Sequence, residues 1–594
     1  MSPPVERLAG RAFAAALLLL TGYHVTLLGQ GALAWGDEGL YPKYSVGAAT
    51  ALLDGSWGAA AAALAGWGSR PGEYLLRLPA AMLQLLVQER TGLPVLNPDS
   101  LRIATAQNVL VSLGLGLAFW RVSRLLLPAR WMADVASIAF VLLTQNQIWV
   151  RHLLPYDAAM LVHFVALHVC LRGCLMQGSG TFQWKRSALT GSILGLLLLA
   201  YPFIFFRYRS LGLPLASLLF AACCAFIVGL RRDWRGEGRL ILMGGLASGI
   251  ALSIYPAYYA FTVACGLLLF VAGKSDRVIA VTRESIRMSL LFGAAVLSVM
   301  LGFEMLARVG GVSYLGGARL LAGTINQGSF DEGFVFLATY LLAVDGPGGL
   351  AIIALAAVGL WALIPGRSVV DPRASRVILV FSCLYLAYAF QSVVLQKMVF
   401  TGRYARMYIP ALIWLAAIGL WSLRGQVRHV VALGWVTAGV AGFAIFASEY
   451  RLVGYPIDVL YRLGIGYEDL VPENVRVEFL PLRAYNLPVK AVTAGAQYIT
   501  HPNDRRFVIV NFALPSDVGP GLDTNPTGSN YSLVHDSLHF ISARSFGWEG
   551  ATAGLRERLY RPGFHLEVFR ASTPSANNLC PGQAQTGQLL RCQG

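Results

Sequence analysis

Charge is what this chain has least of. Asp, Glu, Lys and Arg make up 13% of its 594 residues, about half of the roughly 25% carried by soluble domains. A chain of this length would form several soluble domains, and there are too few charged groups to coat them. Cysteine is also scarce, with 8 residues in all, which excludes a scaffold built on disulfides. Disorder is excluded by the opposite excess, since 56% of the residues are hydrophobic. A mean hydropathy of +0.58 over the whole length leaves a polytopic α-helical membrane protein. Acids are scarcer than bases, 31 against 47, giving a net charge of +16. Such a balance can signal nucleic acid, but in a membrane chain it is first a matter of topology, and no nucleic-acid partner is expected.

A spanning helix needs about 20 mostly apolar residues. Such runs occur over residues 13–33, 101–120, 131–150, 155–174, 187–206, 211–230, 240–255, 257–273, 288–306, 349–364, 377–395, 407–423 and 430–448, about thirteen spans in all. The first follows Arg7 and Arg11 and lacks a cleavage site before Asp37, so it reads as a retained helix with a cytoplasmic N-terminus. Alternating sides then place Arg121, Arg124 and Arg130, Arg172, Lys185 and Arg186, and Arg231, Arg232, Arg235 and Arg239 in the cytoplasm. Lys274, Arg277, Arg283 and Arg287, then Arg367, Arg373 and Arg376, and finally Arg424 and Arg428 fall on the same side. Basic clusters on one side are what the positive-inside rule requires. The membrane region is therefore residues 1–448, with the C-terminus outside.

Two outer segments are long. Residues 35–100 hold amphipathic stretches such as 74–87, suited to helices lying on the membrane surface. After residue 448 the composition turns polar, and β-rich runs over 507–512, 537–543 and 565–569 alternate with turn signals. Residues 449–594 thus read as a small extracytoplasmic α/β or β-rich domain of roughly 145 residues. Cys580 and Cys592 near its end lie in a compartment that permits a disulfide. The other six cysteines lie in apolar spans and read as packing residues.

Chemistry gathers on the outer face. Asp37 and Glu38 stand side by side just after the first span, where burial raises carboxylate pKa values and charges need partners; an acid pair in a solvated loop is the plain alternative. Asp157 opens the fourth span on the same face, either as a second site acid or as a first-turn acid beside Pro155. The outer loops also hold Arg70, then Arg207 and Arg209, then Lys397, Arg403 and Arg406. Each alone suits an interface anchor. Three loops of them opposite an acid pair point to a bound anion, and the planar fork of Arg suits phosphate.

These residues resemble a family. Gly36, Asp37 and Glu38, then Tyr41, then Leu53, Asp54, Gly55, Ser56 and Trp57, then Arg70, Pro71 and Tyr74 look like the first outer loop of the polyprenyl-phosphate-sugar-dependent C-type glycosyltransferases. That superfamily includes the protein O-mannosyltransferases and the aminoarabinose transferases of lipid A. Arg70 and Pro71 stand where the aminoarabinose branch has a Lys-Pro pair at the lipid phosphate. Asp157 stands where the family commonly has a second acid. Gly402, Arg403 and Tyr404 with Tyr408, Ile409 and Pro410 are similar to its late segment. The likeness runs through roughly residue 448.

The resemblance implies a bacterial inner-membrane enzyme that moves a sugar from a polyprenyl-phosphate donor to a lipid, glycan or protein acceptor of the cell envelope. Asp37 would be the general base of an inverting displacement, with Glu38 and Asp157 positioning the acceptor or Asp37. Arg70 and Arg403, supported by Arg207, Arg209, Lys397 or Arg406, would stabilise the departing phosphate. Tyr41, Tyr74 and Tyr404 would line the pocket. No obligatory cofactor is expected; a divalent metal is not favoured, since no His or further acid stands at ligand spacing. The rival readings are a transporter or flippase of lipid-linked glycan, and an O-antigen-type ligase or polymerase.

Overall fold

In hydrocarbon every backbone N–H and C=O must be paired within the segment, so long apolar runs become helices. The computed structural model describes residues 3–30, 32, 40–66, 70–176, 212–230, 236–271, 282–325, 333–363, 372–395, 402–452, 508–513, 531–539 and 564–571. Among these, seven helices are long and apolar enough to cross a membrane: Glu6–Val25, Pro98–Leu126, Tyr156–Cys174, Gly236–Ile254, Glu284–Val309, Ser375–Val393 and Val427–Ser448. Four shorter apolar helices, Pro256–Val271, Gly333–Asp345, Pro347–Ala362 and Ile409–Ser422, accompany them. The chain is a multi-pass helical membrane protein.

The described helices begin with α1 (Pro3–Val25), followed by a π-helical turn over Tyr41–Val46 and by α2 (Gly47–Leu53), α3 (Trp57–Ala65) and α4 (Pro71–Thr91). The bundle continues with α5 (Pro98–Leu126), α6 (Arg130–Leu142), the short α7 (Thr144–Gln147), a 3-10 turn over Ile148–Arg151 and α8 (Tyr156–Met176). Then come α9 (Gly212–Leu230), α10 (Gly236–Ile254), α11 (Tyr259–Val271), α12 (Arg283–Val309) and α13 (Tyr314–Ile325). The last are α14 (Phe336–Asp345), α15 (Pro347–Ala362), α16 (Pro372–Val393), α17 (Gly402–Ala405), α18 (Ile409–Ser422) and α19 (Val427–Leu452).

The expected span over 131–150 is not one helix. α6 stops at Leu142, and Leu143 is extended with ψ 132°. Thr144, Gln145, Asn146 and Gln147 follow, all buried. Consecutive polar side chains inside a bundle need fixed partners, and breaking the helix gives the three amides theirs, as described below, while the Thr144 backbone N–H donates to Asp345 at 2.7 Å. The expected apolar runs also leave out 314–345, where α13 and α14 form. Glu304, inside an expected span, is fully buried. It binds Arg308 at 2.8 Å, the hydroxyl of Ser313 and the backbone N–H of Leu315. The run over 187–206 lies outside the described residues.

α4 is amphipathic in an unexpected sense. Tyr74, Arg77, Ala81 and Gln84 share its buried face, while Leu75, Leu83 and Leu86 are exposed. The leucines suit lipid, and the polar groups form the interior network.

Two contacts show how the bundle closes. Phe119 of α5 stacks on Phe140 of α6 at 4.1 Å and on Trp414 of α18 at 5.6 Å, and meets Phe164 of α8 edge-on at 5.5 Å. The Trp414 indole donates to Ser123 Oγ at 2.9 Å, so the ring buries its area without stranding its N–H. α15 and α18 approach backbone to backbone. A Cβ built on Gly359 would lie 2.0 Å from the Leu415 carbonyl oxygen, and one on Gly419 2.0 Å from that of Leu355. Small residues at such a crossing replace the missing hydrophobic drive in lipid with close packing.

The C-terminal portion holds a three-stranded antiparallel sheet. β1 (Val508–Ala513) and β2 (Tyr531–His539) both pair with β3 (Phe564–Ala571), giving the order β1-β3-β2. β1 and β3 fall close to two of the expected runs. β2 begins earlier than expected, with a bulge between Leu533 and His535; pairing to β3, not local turn signals, sets its start.

Candidate functional site

Arg70 precedes Pro71, which opens α4. A residue before proline is kept from the helical region, so Arg70 stands at the cap with φ −138°. Gly72 lets this end of α4 press on the end of α10. A Cβ there would lie 2.1 Å from Ser253 Oγ and 2.9 Å from the Ser253 backbone carbon. The close approach brings the Arg70 guanidinium over the Tyr255 ring, 5.2 Å from its centroid. Tyr255 is extended with φ −150° before Pro256, again as proline demands.

Tyr255 is the middle of a tyrosine cluster. Tyr156 meets it edge-on at 5.0 Å, Tyr404 stacks at 6.4 Å, and the hydroxyls of Tyr255 and Tyr404 are 3.3 Å apart. Arg403 closes the far side. Its guanidinium donates to the Tyr156 hydroxyl at 2.7 Å and lies 5.6 Å from that ring's centroid, while its carbonyl accepts from the Tyr258 hydroxyl at 3.1 Å. Two guanidiniums, from chain segments far apart, thus converge on adjoining aromatic faces, each held by ring electrostatics.

Beside Tyr156, Asp157 forms an ion pair with Arg406 at 2.5 Å, and both side chains are buried. Arg406 also donates from Nε to Asn146 Oδ1 at 3.0 Å, and Gln145 donates to the Gly402 carbonyl at 2.6 Å. The broken-helix segment after α6 therefore clamps the Arg403 to Arg406 turn. The remaining amides point inward too. Asn146 donates to the Phe140 carbonyl at 2.6 Å, Gln147 donates to that of Val141, and Gln147 meets His24 at 2.5 Å.

Arg77 ties α4 to this centre. It binds Glu73 at 3.5 Å, Asn108 Oδ1 at 3.1 Å and the Leu154 carbonyl at 2.9 Å. Asn108 in turn donates to the His152 carbonyl at 2.6 Å. Arg77 acts electrostatically on both Asp157 and Tyr41. Glu73 also lies 3.9 Å from Arg70.

Of the expected site residues, Arg70, Asp157, Arg403, Tyr404 and Arg406 come together here. Tyr41 and Tyr74 pack within the segment between α1 and α5. Tyr41 donates to Gln84, whose amide binds the Val95 carbonyl at 2.9 Å and Ser100 Oγ at 3.1 Å, and Tyr74 lies 4.9 Å from the Tyr44 ring. Burial pushes the Tyr41 phenol above its ordinary pKa, against the opposing pull of Arg77. Arg406, expected to support a phosphate, instead faces Asp157. Asp37, Glu38, Arg207, Arg209, Lys397, Cys580 and Cys592 lie outside the described residues.

Sequence reasoning did not select Arg77, Glu73, Asn146 or Tyr255. The stripe of Tyr74, Arg77, Ala81 and Gln84, at helical spacing, was the available signal for Arg77. Arg70, Arg77, Arg403 and Arg406 stand with Glu73 and Asp157 around this centre, where Arg77 pairs with Glu73 and Arg406 with Asp157. Among the described residues no group of three or more His, Cys, Asp or Glu side chains gathers as a metal site. No protein-family model, curated protein or solved structure matches this chain.

Proposed function

We propose that this protein is an integral-membrane glycosyltransferase that moves a sugar from a polyprenyl-phosphate donor to a cell-envelope acceptor on its outer face. The observation that carries the reading is the convergence of Arg70 and Arg403 on Tyr255 and Tyr156. Two guanidiniums in an aromatic setting suit the single phosphate of such a donor. They would stabilise the charge that builds on the phosphate as the anomeric bond breaks. Asp37 is proposed as the general base, with Glu38 beside it. In this reading Asp157 acts through Arg406, holding the turn that carries Arg403. Residues 449–594 as an outer domain, about thirteen spans and a bacterial inner-membrane location belong to the same proposal.

The test is transfer by the purified full chain in lipid, with polyprenyl-phosphate-linked sugars as donors. The donors and acceptors are chosen by comparing envelope lipids, glycans and glycoproteins of a deletion strain by mass spectrometry. Arg70→Ala and Arg403→Ala should each weaken donor use by about tenfold or more, the worth of a charge-assisted hydrogen bond, with acceptor dependence little changed. Asp37→Asn should abolish transfer in a folded protein. Unchanged donor dependence in both arginine variants removes the phosphate site, and full transfer by Asp37→Asn removes the base.

A further inference from the structure

A second polar site lies at the opposite end of the bundle, where the N-terminal and post-α5 arginines gather. A cavity of about 450 Å³ opens between α1, α5 and α6, lined by Glu6, Arg7, Arg11, Trp120, Arg130 and Asp134. Trp120 organises it. Its indole donates to Asp134 Oδ1 at 2.7 Å, its ring stacks on Phe13 at 6.1 Å, and Arg121 and Arg124 each hold a guanidinium 5.2 Å from its centroid. Tryptophan with arginines at the end of apolar helices marks the headgroup level of a bilayer.

The lining carries charge of both signs. Arg7, Arg11 and Arg130 supply planar donors matched to phosphate oxygens. Asp134 is 1% exposed, and among the described residues its Oδ2 has no hydrogen-bond partner. Gly10 packs beside that oxygen, and a Cβ there would lie 3.6 Å from Oδ2, in ordinary contact. Arg130 and Arg124 act on Asp134 through charge without donating to Oδ2. A buried carboxylate oxygen without a donor is costly, and a primary ammonium would satisfy it.

We propose that this cavity binds a phosphoethanolamine group, presented by a membrane phospholipid, with the phosphate on the arginines and the ammonium on Asp134. The site is separate from the outer arginine and tyrosine cluster, and its test does not depend on transfer activity.

The experiment is native mass spectrometry of the purified full chain, with competition among short-chain phosphatidylethanolamine, phosphatidylcholine and phosphatidylglycerol, and with soluble phosphoethanolamine. The ethanolamine lipid should be retained about tenfold over the choline lipid, whose quaternary ammonium has no proton to donate. Asp134→Asn should erase that preference, and Arg7→Gln with Arg11→Gln should weaken all three lipids. Equal retention of ethanolamine and choline lipids by the unaltered chain, a comparison that needs no variant to fold, overturns the proposal. So does a preference kept by Asp134→Asn, or tighter binding of the glycerol lipid. Displacement by soluble phosphoethanolamine at equal concentration assigns the site to a solute and overturns the lipid assignment.

Discussion

The Asp157 and Arg406 pair is the sharpest place to test how this molecule holds the turn from Arg403 to Arg406. Both groups are buried and 2.5 Å apart. Removing one partner of a buried pair leaves the other charge without compensation, at a cost of about 3–5 kcal/mol. The surroundings distinguish the two single changes. In Arg406→Gln, Arg77 still acts on Asp157, so the loss should lie near the lower end, about 3 kcal/mol. In Asp157→Asn, Arg406 loses its buried acid partner while Arg77 keeps Glu73, and the loss should approach about 5 kcal/mol. The double variant Asp157→Asn with Arg406→Gln strands no charge and keeps an amide near Asn146. It should therefore lose less than the sum of the singles by roughly 2–3 kcal/mol, the coupling of residues in direct contact. Equilibrium unfolding in mixed micelles, read by tryptophan fluorescence, measures all four proteins. Additivity within about 0.5 kcal/mol would show that the contact contributes no pairing energy, and the clamp on Arg403 would need another source.

Three further outcomes follow from neighbouring geometry. Arg77→Gln should cost about 3–5 kcal/mol, and Arg77→Lys should recover little of it, because one ammonium cannot replace a fork reaching Asn108 and the Leu154 carbonyl together; the same unfolding measurement checks both. Gly359→Ala places a Cβ against the Leu415 carbonyl and should destabilise by about 1–3 kcal/mol or more, whereas alanine at Gly434, with open space around it, should be nearly neutral. Gly72→Val should push α4 off Ser253 and carry Arg70 away from Tyr255, seen as lost crosslinking between cysteines placed at positions 70 and 255 in otherwise folded protein.

Much of the arginine and tyrosine centre was visible residue by residue. Arg70, Asp157, Arg403 and Arg406 stood out because a charged group at the wrong end of an apolar run has a cost that composition exposes. Their roles were less visible. Arg406 and Asp157 each looked like a group awaiting a ligand, and the two pair with each other from distant parts of the chain, with Asn146 holding Arg406. Tyr255 carries no charge to mark it in the sequence. Its place under Arg70 depends on Gly72 admitting α10, a contact that no local pattern encodes. The break after Leu142 was hidden for a related reason. Apolar content marked 131–150 as one span, while the buried amides of Gln145, Asn146 and Gln147 find their acceptors only after the helix opens.

What the sequence by itself determined is the solvent of this protein. Too little charge for water, apolar runs of spanning length and basic residues at one set of ends follow from transfer free energies that each residue carries alone. What the tertiary structure decided is which group each charge meets once the helices pack. Pairing depends on distance, and distance here is set by glycines that let backbones meet and by amides that hold a broken helix. Those contacts use Arg406 to bind Asp157 and Arg77 to bind α4 to its neighbours, and leave Arg70 and Arg403 on the tyrosines.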